Sequence, residues 1–154
     1  MKSIISSLLL LCSLVFLGGC ASNQKGAVMP GTDFSTLKKY YVVHLPADTR
    51  GVNQMIADEL NSRGFSTTTG EAVNVPADVD AVVTYQDKWM WDITMYMIQL
   101  DIQFRKPVTD IPMATGSSMR TSLVRKSPAN MIKEVLDQIF IKAGVQTTAP
   151  MGAK

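Results

Sequence analysis

The segment SPANMIKEVLDQIFIKAG, residues 127–144, restricts the architecture more than any other stretch of this chain. Ser127 is a capping residue, Pro128 suits a first helical turn, and Gly144 supplies a left-handed stop. Between them Ile132, Val135, Leu136, Ile139, Phe140 and Ala143 recur at helical spacing and make one continuous apolar stripe. A second helix of the same kind is predicted after residue 48. Asp48 or Thr49 caps it, Val52, Met55, Ile56 and Leu60 share a side, and Gly64 ends it with Phe65 placed against Leu60. Two helices with one apolar face each are satisfied most simply by a single sheet that both of them cover from one side.

The strands for that sheet are legible between and around the helices. LKKYYVVHLP (37–46) is β-rich and apolar on both alternating sets, the pattern of an interior strand. FSTTT (65–69) is a short strand, EAVNVPAD a loop, and VDAVVTYQDKW (79–89) begins as a strand with Val83 and Tyr85 on one face. The next strand, 92–106, changes phase midway. Ile93, Met95 and Met97 alternate with Asp92 and Thr94, whereas Ile98, Leu100, Ile102 and Phe104 alternate with Gln99, Asp101 and Gln103. A bulge near residues 96–98 produces such a shift, as does a strand whose two halves face different layers. Residues 113–124 return as a polar, small-residue strand nearer an edge. The expected fold is α+β: a two-layer α/β sandwich, one mixed sheet of about five strands with two helices on one face, in the order β-α-β-β-β-β-α, spanning residues 36–143.

The ends of the chain read differently. Lys2 followed by the apolar run 4–17 and two glycines has the form of a secretory leader, and about 14 apolar residues fall short of the ~20 that span a bilayer. Residues 20–35, polar and broken by Pro30 and Gly31, are expected to be a flexible tether, and residues 144–154 a frayed tail. Removal of residues 1–19 leaves 14 basic against 13 acidic side chains, a balance that gives no reason to expect nucleic acid as a partner.

The residues that end the leader are specific. LGGC, residues 17–20, resembles a bacterial lipobox: an aliphatic residue, two small ones, then cysteine. The resemblance implies cleavage between Gly19 and Cys20, a thioether-linked diacylglycerol on Cys20, and further acylation of the new amino terminus. Ala21 and Ser22 follow in place of an aspartate, which in Gram-negative lipoproteins goes with transport to the outer membrane. Two or three acyl chains hold a protein to a bilayer stably, at about 0.8 kcal/mol per buried methylene. Since Cys12 lies in the leader and Cys20 would be lipidated, the mature chain is expected to contain no free thiol and no disulfide.

Catalytic constellations are hard to assemble from these residues. His44 is the sole histidine; serines abound, so a Ser–His–Asp set is open on composition, but no GxSxG elbow accompanies it, and a strand histidine with a hydrogen-bond partner or an exposed ring is the expectation. One histidine and no available cysteine exclude a zinc site. The pair Asp78 and Asp80 lacks the glycine and terminal glutamate of a calcium loop. Asp87, Asp92 and Asp101 offer the carboxylates of a glycosidase, but any small domain offers such pairs. Neither a metal nor an organic cofactor is expected, and the chain does not read as an enzyme.

One cluster remains. YQDKWMWDITMYM, residues 85–97, holds both tryptophans, two tyrosines and three methionines. Trp89, Trp91, Asp92 and Tyr96 are the candidate binding residues, because aromatic side chains on a strand pair make a stacking platform or a contact patch. The same side chains are the composition of a core, and both readings stand at this point. This stretch, with its sequel to residue 140, resembles a class of small lipoproteins of Gram-negative bacteria. Their α/β domain is similar to the N-terminal domain of TolB and to lipoprotein activators of cell-wall synthases. No catalytic motif comes with the resemblance. The lipobox, the expected linker and the lack of a catalytic set lead to the expectation of a non-enzymatic envelope binding module, its partner an envelope protein or a second copy. A glycan- or lipid-binding module using the same strip is the alternative.

Overall fold

The computed structural model describes residues 22–145. The leader, the Gly19–Cys20 cleavage and lipidation site, and residues 146–154 of the expected tail lie outside the described residues. The elements are β1 (Asn23–Val28), β2 (Lys39–Val43), α1 (Val52–Ser62), β3 (Ser66–Gly70), a 3-10 turn (Ala72–Asn74), β4 (Ala81–Asp92), β5 (Thr94–Arg105), β6 (Pro112–Met119) and α2 (Pro128–Ala143). They form one mixed sheet of order β1-β6-β5-β4-β2-β3, in which β2 pairs parallel with β3 and β4 and the other pairs are antiparallel. The α+β sandwich with two helices is thus present, with six strands where about five were expected.

The sixth strand corrects the reading of residues 20–35 as a tether. Asn23–Val28 pairs along its whole length with β6, from Asn23 opposite Met119 to Val28 opposite Ala114. Six residues later Phe34 is buried in the core, edge-on to Phe104 and Phe140 with ring centroids 5.5 and 6.1 Å away. The strand is built around close approach instead of apolar side chains. Gly26 lies opposite Gly116, and α2 crosses both: a Cβ on Gly26 would meet the Gln138 carbonyl oxygen at 2.6 Å, and one on Gly116 would meet Ile139 Cγ1 at 2.8 Å. Only glycine fits under a helix this close. At the other end Val145, assigned to the tail, packs against the core.

The helices begin and end as their residues require. Ser127 Oγ accepts the Asn130 N–H, and Gly144 closes α2 at φ 68°. Gly64, at φ 90°, follows α1, and the Phe65 N–H returns to the Leu60 carbonyl. The start of α1 differs in detail. Gly51 occupies the cap position without a side-chain bond, while the Asp48 carboxylate reaches in from three residues upstream and accepts the Val52 N–H at 2.6 Å. Val52, Ile56 and Leu60 of α1 share the core with Ile132, Val135, Leu136, Ile139 and Phe140 of α2. Arg63 joins the two helices, bonded to Glu59 at 2.6 Å and to Asp137 at 2.8 Å with its side chain fully buried. Asp137 and Glu59 supply the opposite charge that a buried guanidinium needs.

Candidate functional site

Strands β4 and β5, twelve residues each, outrun their neighbours. β2 meets β4 only from Ala81 to Val83, and the β5–β6 ladder ends at the pair Gln99–Met119. Past that pair, β4 and β5 continue as a two-stranded arm with its apex at Ile93. The expected bulge lies at its base. Lys88 pairs with Gln99 and Trp89 with Met97, which leaves Ile98 as the extra residue and turns the later side chains of β5 over.

A free hairpin is marginal in water, so the arm must be braced. Trp89 is half-buried against the core, donates from Nε1 to Asp87 Oδ2 at 2.5 Å, and carries the Arg50 guanidinium 4.4 Å from its ring centroid. Met97 is buried outright. Tyr96 is buried under Arg125, whose guanidinium lies 3.9 Å from the ring centroid and binds Asp92 Oδ2 at 2.8 Å and Thr94 Oγ1 at 3.3 Å. Arg125 comes from the β6–α2 loop and clamps the arm from outside it.

The four candidate residues therefore part company. Trp89 and Tyr96 brace the arm, Asp92 is engaged by Arg125, and Trp91 alone presents its ring to solvent, 69% exposed. Beside it stand two residues outside the candidate set, Ile93 at 87% and Met95 at 45% exposed. Trp91 pairs directly with Met95, and Ile93 caps the pair at φ 62°. The left-handed region is hostile to a β-branched residue. Sequence reasoning passed over Ile93 because it fitted the strand alternation; its neighbours Asp92 and Thr94, both turn formers, were the available signal. Arg50 and Arg125 were missed because nothing local ties them to rings some forty and thirty residues away.

The titratable groups are held apart. Asp87 accepts from Trp89, Asp92 from Arg125, and Asp101 from Gln99 Nε2 at 2.7 Å. His44 Nδ1 lies 2.9 Å from Glu71 Oε1 and its Nε2 3.2 Å from the Asp48 carbonyl oxygen. The hydrogen bond to Glu71, then that to Asp48, raises its pKa above the ordinary histidine value. Asp48 is enclosed; burial pushes its pKa up, but bonds from the Arg50 N–H, the Tyr85 hydroxyl and the Val52 and Asn53 N–H groups outweigh that and leave the carboxyl below its usual range. This network pins the loop before α1 to β4. Among the described residues no three His, Cys, Asp or Glu side chains gather as a metal site, and no helix is long and apolar enough to cross a membrane. On the sheet face opposite the helices, Thr84, Gln86, Asp101, Gln103 and Arg105 of β4 and β5 line a shallow polar concavity of about 200 Å³, while Tyr41 and Val82 on the same face are buried beside the Glu71 turn.

No protein-family model matches the chain, and no curated protein does. Among solved structures, the PelC dodecamer from Paraburkholderia phytofirmans aligns with a TM-score of 0.56 at 8% identity, over 82% of this chain and 100% of that one. A second PelC dodecamer structure from the same organism aligns at 0.57 and 9%, with the same coverage. At such identities the likeness is one of fold. TolB from Acinetobacter baumannii aligns at only 0.35, with 18% identity, over 73% of this chain and 28% of that one.

Proposed function

We propose that this chain is a non-enzymatic accessory module of the bacterial envelope, anchored to the outer membrane through acylated Cys20, which works by associating with other proteins, copies of itself foremost. The observation that carries the reading is the fold shared with PelC over the whole of that chain, in a protein whose solved structures are dodecamers. Each copy of the present domain offers what a repeated contact needs. Among the described residues strand β1 is a sheet edge that pairs on one side only, and the β4–β5 part of the sheet face away from the helices is polar. Contacts between unlike surfaces of identical copies close into rings when the rotation permits. The LGGC motif after an apolar run supports the anchor.

Sedimentation of the lipid-bearing protein in detergent tests the assembly. A discrete species of many copies supports the reading; a monomer at every concentration removes self-association from it. A photo-crosslinker at Gln103, on that polar face, then separates the remaining partners in cells. Products between copies keep the assembly, and one discrete foreign protein replaces it with an envelope partner. The alternative reading, a glycan or lipid site on the 89–96 strip, is favoured only in its lipid half. The exposed residues beside Trp91 are apolar, and Asp92, the polar contact a sugar would use, is held by Arg125.

A further inference from the structure

The start of β1 and the apex of the β4–β5 arm lie at the same end of the sheet. Asn23 pairs with Met119, Met119 with Gln99, and Gln99 with Lys88, so these four residues form one line across the strands. β1 runs antiparallel to β6, so the chain enters β1 from the side on which the arm projects. Cys20 precedes Asn23 by three residues. However those residues run, they span at most about 11 Å. The arm runs five residues from Lys88 to Ile93, about 16 Å at strand rise. Along the strand direction the apex therefore reaches about 5 Å farther than the cysteine at the end of a fully extended link, and a less extended link widens the gap.

We infer that the arm is a membrane wedge: with Cys20 acylated, Trp91, Ile93 and Met95 enter the headgroup–acyl boundary of the bilayer that holds the anchor. This rests on the lipoprotein reading above. Interfacial elements bury about 5–10 Å into that boundary, which matches the overreach of the apex. The side chains suit it. Tryptophan favours the membrane interface, methionine adapts to disordered surroundings, and isoleucine adds apolar area. Lys88 stands on the baseline itself and is exposed, and Arg125 clamps the arm from the β6–α2 loop with its guanidinium shared with Asp92; long cationic side chains at such positions meet lipid phosphates. The strained apex has no packing role in the fold, since Ile93 is 87% exposed. A second copy or a sugar would not explain why this apolar apex lies beside the anchor.

The test uses the full-length protein, processed in a Gram-negative host and reconstituted in phosphatidylethanolamine–phosphatidylglycerol vesicles carrying brominated acyl chains. Trp89→Phe leaves Trp91 as the single indole, and the difference between wild type and Trp91→Phe gives the same signal without altering Trp89. The wedge requires a blue-shifted Trp91 emission that is quenched more by bromines near the headgroup end of the chain than by bromines near its terminus. Ile93→Asp, at an exposed position, should keep the circular dichroism of the wild type and lose most of that quenching. Water-like, unquenched emission from an acylated protein overturns the wedge and leaves the anchor standing. A blue shift without quenching also overturns it, because the ring is then covered by protein. A mature mass without lipid on Cys20 overturns the anchor itself, and the wedge with it.

Discussion

Ile93 concentrates the conflict between stability and use in this molecule. It is β-branched, adopts φ 62°, and buries almost nothing. Glycine tolerates that conformation, whereas an L-residue loses roughly 1–2 kcal/mol to it. Ile93→Gly should raise the stability of the vesicle-free domain by about 1 kcal/mol in urea unfolding. The same variant should weaken Trp91 quenching on vesicles, since the apex then carries no apolar side chain. A second residue carries a pH dependence. Protonated His44 donates from Nδ1 to Glu71, and the raised folded pKa means the contact is fully formed below the ordinary value of about 6.5 and lost as pH rises through the folded value. As the single histidine, it gives one pair of ring C–H resonances, assignable without overlap from another histidine. An NMR titration should place its pKa above 6.5, and Glu71→Gln should bring it back towards that value. His44 was legible as a strand-end residue from the β-rich run before it, but its partner Glu71, 27 residues on, left no local trace.

At the scale of elements, legibility followed periodicity. α2 could be read to its bounds because cap, stripe and stop agree within one local stretch. The bulge could be read from a change of phase in one strand, and it lies at Ile98 as the pattern required. β1 could not, because NQKGAV has neither alternation nor β-branched density; its inward face is the glycine over which α2 passes. That strand and Phe34 should be structural. Phe34→Ala should cost about 3–5 kcal/mol, and a chain begun at residue 36, which also bares the β6 edge, should be less stable still or aggregate. Gly116→Val, which drives a branched side chain into Val135 and Ile139, should cost about 1–3 kcal/mol or more by overpacking. Urea denaturation read by near-UV circular dichroism would register all three.

The whole molecule has two unlike ends. The arm and the entry to β1 share one, and the β5–β6 turn, with Val108 95% exposed, marks the other. If the wedge faces the bilayer, Ile93→Cys on vesicles should resist a charged thiol reagent while Val108→Cys reacts freely; equal rates would place both ends in water. Cys12 leaves with the leader and Cys20 is acylated in this reading, so each variant holds one free thiol. The sequence alone determined the elements from residue 37 onward, the side on which each helix is apolar and the phase shift in β5, and it carries the lipobox-like LGGC. Each of these is a relation among neighbours in the chain, set by backbone period or by a short contiguous motif. Only the tertiary structure decided that residues 23–28 form a strand, that Arg50 and Arg125 cover Trp89 and Tyr96, and that Trp91 is left bare at the end of the sheet where β1 begins. Those outcomes depend on which segments meet across the sheet, and residues far apart in sequence carry no local trace of the partner that buries them.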